Sequence, residues 1–91
     1  MQNGDLLYKI AEKINAMSTS DVVDFLKAIL TPAEIVDLKN RYLIIENLVA
    51  GKTQKAISQE LSVSISQVTR GANELKYGNG AAIFNKVFAQ K

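Results

Sequence analysis

The stretch "LTPAEIVDLKNRYLIIENLVAG", Leu30 to Gly51, constrains the fold of this chain more than any other. Thr31 suits an N-cap, Pro32 suits the first helical position, and Glu34, three residues after Thr31, completes a capping box. Gly51 suits the C′ position that ends a helix. One long helix is therefore expected, running to Ala50. Six of the eight residues in its second half, "YLIIENLV", are apolar, so they cannot share a single stripe. Such a helix is buried centrally by its own chain or shared between two subunits. With 91 residues and no cysteine, a single core is marginal, which favours a homodimer.

The remaining segments also read as helices. "LLYKIAEKINAM" places Leu7, Ile10, Ala11, Ile14 and Met17 at helical spacing. "STS" reads as a capping loop before "DVVDFLKAIL", whose Val22, Phe25, Leu26 and Ile29 share a face. Beyond Gly51, Thr53 caps a short helix through Leu61, and "SVS" makes a turn. Ser64 then caps a second helix, with Gln67 closing another capping box. That helix ends near Tyr77, where "GNG" at 78–80 breaks it, and "AAIFNKVFAQ" forms a last helix with Ile83, Phe84, Val87 and Phe88 toward the core. The expectation is an all-α chain of six short helices forming one domain over 1–91. No repeat or linker interrupts it, and it contains one proline and five glycines.

Two short helices joined by a three-residue turn, at about 53–77, are a helix-turn-helix unit. Ile57, Leu61, Val63, Ile65 and Val68 would set the angle between them. Ser58 is small where the helices approach, and Ser62 stands at a turn position where glycine is common. In this unit the start of the second helix faces base edges in the major groove. Ser64, Ile65, Ser66, Gln67 and Thr69 occupy that start. Gln67 can donate and accept at adenine, and Ile65 can touch a thymine methyl. Lys52, Thr53, Gln54, Lys55 and Lys76 can reach phosphates. The charge distribution agrees with this: residues 1–51 carry five Lys/Arg against seven Asp/Glu, whereas residues 52–91 carry six against two. A basic C-terminal half points to a polyanion, here double-stranded DNA. A two-fold dimer would present two such helices about 34 Å apart, the half-site spacing of helix-turn-helix dimers. The rival from another class is a helical protein-interaction dimer without DNA binding.

Enzymatic chemistry has little support. Histidine and cysteine are both absent, which removes the commonest bases, nucleophiles and metal ligands. Glu34, Asp37, Glu46 and Glu60 fall at capping or exposed helical positions. No catalytic residue, metal or cofactor is expected. No apolar run approaches the roughly 18 residues of a membrane span, and the N-terminal "MQNGDLLYKI" lacks signal-peptide features. The expected location is cytoplasmic, with no membrane partner.

The segment from Leu30 to Lys76 resembles the tryptophan repressor family. The likeness lies in the L-T-P-x-E start, in an arginine on the following helix, and in the run "TRGANELK". It covers about half the chain. "KYGNG" is similar to a related branch, the trp-repressor-like proteins known as YerC/YecD, which allows a different effector or none. The resemblance implies an intertwined all-helical homodimer that binds operator DNA with L-tryptophan as corepressor, controlling tryptophan biosynthesis or transport. By the same resemblance Arg70 holds the ligand carboxylate with help from Thr31, Gly71 permits close approach, and Arg41 covers the indole face. Ile44 and Ile45 line the apolar wall, and backbone carbonyls of Ala28 and Leu30 from the other subunit meet the amino group. The alternatives from the residues alone are a phosphate contact or an ion pair with Glu74 for Arg70, an ion pair with Asp37 for Arg41, and close helix packing at Gly71. Glu74 stands where the family often has a small or hydroxyl residue. It can pair with a ligand ammonium group or capture Arg70 and close the pocket. The stretch from Gly51 to Arg70 is one residue shorter than in well-known members, and Ala28 replaces a usual leucine.

Overall fold

The computed structural model describes residues 3–78 and 80–89, without the side chains of Asn3 and Ala89. These residues form six helices and no strand: α1 (Asn3–Asn15), α2 (Thr19–Ile29), α3 (Pro32–Val49), α4 (Gln54–Leu61), α5 (Ile65–Tyr77) and α6 (Gly80–Ala89). The all-α expectation holds. The chain divides into two compact units, Met1–Ile35 and Val36–Lys91, with the division inside α3.

In the first unit Ser18 caps α2 by accepting the Asp21 N–H at 3.2 Å. The helix therefore starts two residues earlier than expected, and Thr19 and Ser20 belong to its first turn rather than to a loop. Thr31 and Glu34 form the expected reciprocal box: the Thr31 N–H donates to Glu34 Oε1 at 2.9 Å, and the Glu34 N–H donates to Thr31 Oγ1 at 3.2 Å. Packing follows the predicted faces only in part. Ile10, Ile14, Met17, Val22, Phe25 and Leu26 are half-buried, but Leu7 and Ile29, assigned to the same faces, are exposed. No described residue of this unit is buried. Two amphipathic helices alone cannot enclose an apolar side chain from every direction.

The second unit has a core. Ile44 from α3, Ile57 from α4 and Val68 from α5 are buried together, with Leu48, Leu61 and Val63 packed against them. Full burial of Ile57 and Val68 stabilises the unit by about 1.5–3 kcal/mol per side chain. The all-round apolar half of α3 is buried only at Ile44 and Ile45, leaving Tyr42 and Leu43 exposed. Helix α3 ends in a Schellman arrangement around Gly51 at φ +92°, with the Gly51 N–H on Leu48 O and the Lys52 N–H on Asn47 O. Helix α6 packs against α5, and the rings of Tyr42 on α3 and Phe88 on α6 lie 5.2 Å apart. Phe84 and Phe88 are half-buried as expected, whereas Ile83 and Val87 are exposed.

Candidate functional site

The connection between α4 and α5 is held by local hydrogen bonds. Thr53 caps α4 through the Ala56 N–H at 3.1 Å. Ser62 takes the left-handed conformation, φ 56° and ψ 43°, which costs a non-glycine residue roughly 1–2 kcal/mol. The neighbouring bonds offset this: Ser58 Oγ donates to Val63 O at 2.6 Å, and the Val63 N–H returns to Ser58 O at 3.2 Å. Ser64 then opens α5 with a full capping box. Of the five apolar residues expected to set the angle between these helices, Ile65 differs: it is 52% exposed and faces outward.

This box and a cross-helix bond engage several expected DNA contacts. Gln67 Oε1 accepts both the Ser64 N–H and its hydroxyl, each at 3.3 Å. Its amide nitrogen remains for a partner, so the paired donor and acceptor expected at adenine lacks its acceptor in this conformation. Thr69 Oγ1 donates to Gln54 Oε1 at 2.9 Å, tying α5 to the start of α4. Lys52 Nζ pairs with Glu60 Oε1 at 2.7 Å. Lys55, Ser66 and Lys76 stay exposed. An open groove of about 700 Å³ follows the outer face of α5 past Ile65, Ser66, Thr69, Arg70, Asn73 and Tyr77. Asn73 and Tyr77 were not expected there. Their spacing from Thr69 in steps of four is the helical signal that marks them.

On another side of α5, a cavity of about 560 Å³ opens against α3. Six of the residues expected to hold a ligand line it: Arg41, Ile44, Ile45, Arg70, Gly71 and Glu74. Asp37, Gln67 and Phe84 complete the lining. Asp37 lies one helical turn before Arg41, a spacing visible in sequence. Phe84 was expected in the core, and nothing in the sequence placed it at a ligand site. Ala28, Leu30 and Thr31 belong to the first unit, at the end of α2 and the cap of α3.

The cavity has an apolar floor and a charged rim. Arg41 and Arg70 are exposed, and neither forms an ion pair among the described residues. The alternative ion pairs, Arg70 with Glu74 and Arg41 with Asp37, are therefore not formed. Two unpaired guanidinium groups over isoleucine side chains suit an anionic group joined to a flat apolar one. Gly71 has a packing reason as well: a Cβ there would lie 2.9 Å from Ile44 Cγ2 and 3.3 Å from Leu48 Cδ1. The glycine lets α5 approach α3 this closely. Glu74 does not capture Arg70. Its Oε2 accepts the Gly80 N–H at 3.0 Å, placing a carboxylate at the N-terminus of α6, where the helix dipole favours negative charge.

The family model described as "Trp repressor protein" matches residues 5–91. The chain belongs to the Trp repressor family. A "Trp operon repressor homolog" of Xylella fastidiosa is 37% identical over 76 residues, covering 82% of this chain and 80% of the relative. Homologs of the same description from Chlamydia caviae and Chlamydia trachomatis serovar D are 44% and 43% identical over 54 residues. Those alignments cover 58% of this chain, and 54% and 57% of the two relatives. The chain thus spans little more than half the length of the chlamydial relatives. No solved structure matches it. The Trp repressor family is one of non-enzymatic transcriptional regulators and implies a DNA partner. Among the described residues there is no acidic cluster suited to a metal ion and no helix long and apolar enough to cross a membrane.

Proposed function

We propose that this Trp repressor family member is a cytoplasmic, homodimeric repressor that binds operator DNA through a helix-turn-helix, α4 and α5, with L-tryptophan as corepressor. The observation that carries the reading is the position of Arg70. It lines the cavity against α3 and also the outer groove of α5. A ligand held by Arg70 therefore acts on the helix assigned to the major groove.

In this reading Arg70 binds the carboxylate through paired charge-assisted hydrogen bonds, aided by Thr31. Arg41 stacks on the indole, Ile44 and Ile45 receive its apolar edge, and Gly71 and Glu74 border it. The backbone carbonyls of the partner subunit's Ala28 and Leu30 receive the ammonium group. Filling the cavity favours the α5 orientation that fits DNA, by as much as the ligand's affinity differs between the two orientations. Ser64, Ile65, Ser66, Gln67 and Thr69 then face bases, while Lys52, Thr53, Gln54, Lys55 and Lys76 lie toward phosphates. Lys52 would exchange Glu60 for a phosphate, a small loss because exposed ion pairs contribute little.

Dimerisation completes the single domain over 1–91 in this account. No described residue of the first unit is buried, and Leu6, Leu7, Val23 and Ile29 are exposed on its helices. A second copy is the partner that removes this surface from water.

Titration of L-tryptophan into the protein tests the assignment. The chain contains no tryptophan, so indole fluorescence reports the ligand alone. A saturable spectral shift at one site per subunit, abolished by Arg70→Ala with helicity retained, is the expected result. No shift at millimolar ligand rejects tryptophan as effector.

A further inference from the structure

Glu74 also contacts Gly78 and Gly80, and the proposed repressor mechanism makes no use of those two contacts. The Glu74 carboxylate lies against Gly78 so closely that a Cβ at that position would collide with it. At Gly80 a Cβ would sit 3.0 Å from Glu74 Oε2 and 2.6 Å from Phe84 Cε2. The two glycines thus leave space for one carboxylate and one aromatic ring. The carboxylate is fixed by the Gly80 N–H at 3.0 Å. The ring folds back over the first turn of α6, over a buried Gly80, and lines the cavity.

We propose that α6 forms one wall of the effector cavity, with Phe84 as a specificity-determining contact for an aromatic ligand and Glu74 as the positioning residue that seats it. This rests on the reading of the cavity as an amino-acid effector site. Phe84 supplies a ring that can meet a flat ligand edge to face, while Arg41 and Arg70 supply cations. Glu74 acts through α6: by holding the Gly80 N–H it fixes the first turn of that helix, and with it the ring four residues on. Without Glu74 the first turn of α6 loses an acceptor for one of its free N–H groups.

The test is calorimetric titration of L-tryptophan into the full chain and four variants, each checked for helicity by circular dichroism. Phe84→Leu keeps an apolar side chain and removes the ring. It should weaken binding by about tenfold, on the scale of one lost aromatic pair. Glu74→Ala should weaken it comparably, and Glu74→Gln should restore it, because an amide oxygen still accepts the Gly80 N–H. The double variant Phe84→Leu with Glu74→Ala should be no weaker than the weaker single variant, as for residues acting through one contact. Unchanged affinity in Phe84→Leu overturns the proposal while leaving the effector site standing. Glu74→Gln as weak as Glu74→Ala, or additive losses in the double variant, overturns the positioning role. Failure of the unmodified protein to bind L-tryptophan overturns the effector reading and this proposal together.

Discussion

Gly71→Ala should destabilise the protein even though it removes a glycine from a helix interior. Helix propensity alone predicts a gain of about 1 kcal/mol. The added methyl opposes it. It would stand 2.9 Å from Ile44 Cγ2, 3.3 Å from Leu48 Cδ1 and 3.4 Å from Ile45 Cδ1. Ile44 is 2% exposed, and its Cγ2 is fixed directly to a β-branched carbon with one strongly preferred helical rotamer. Relief therefore requires α3 and α5 to separate, and overpacking of this kind costs about 1–3 kcal/mol. The net expectation is a loss of about 1 kcal/mol, a fall in melting temperature of roughly 4–8 °C for a domain of this size. Thermal unfolding followed by circular dichroism, without ligand and at fixed protein concentration, reads packing alone. An unchanged or raised midpoint would refute the argument that Gly71 exists for close approach.

Two further outcomes follow from individual contacts. Ser64→Ala removes the cap of α5 and half of its box, so chemical denaturation should show a loss of about 1 kcal/mol; an unchanged midpoint would show that the box contributes nothing. The Tyr42 hydroxyl donates to Glu46 Oε2 at 3.1 Å, and this bond, then desolvation, then the Glu46 charge raise the phenol above its ordinary 10.0. The associated stability is present below the ordinary value and is lost as pH rises through the higher folded one. Ultraviolet titration should place Tyr42 above free tyrosine, and Glu46→Gln should lower its midpoint.

The features legible in sequence are those decided within one helical turn. Thr31 with Glu34, Thr53, and Ser64 with Gln67 each depend on atoms three residues apart, and Gly51 on its own backbone angle; all four stand where the pattern placed them. The resemblance carried by the L-T-P-x-E start, the arginine of α3 and "TRGANELK" also led to residues that gather around the cavity. Glu74 was not legible, because its partner is the Gly80 N–H at the start of the next helix, which no local rule pairs with it. Phe84 followed a correct periodicity to an incomplete conclusion: its helix turns it inward, but whether inward means core or cavity depends on how α6 meets α5. Leu7 and Ile29 have the spacing of buried residues and are exposed, since periodicity identifies an apolar face without identifying what covers it.

In the proposed mechanism one helix, α5, joins effector and DNA. The most direct measurement is fluorescence anisotropy of a labelled duplex, selected by this protein from a randomised pool in the presence of L-tryptophan. The titration is run at one fixed salt concentration with and without that ligand. The expected result is tighter DNA binding with L-tryptophan, an equal tightening of L-tryptophan binding by DNA, and loss of both in Arg70→Ala. DNA affinity indifferent to L-tryptophan would contradict it.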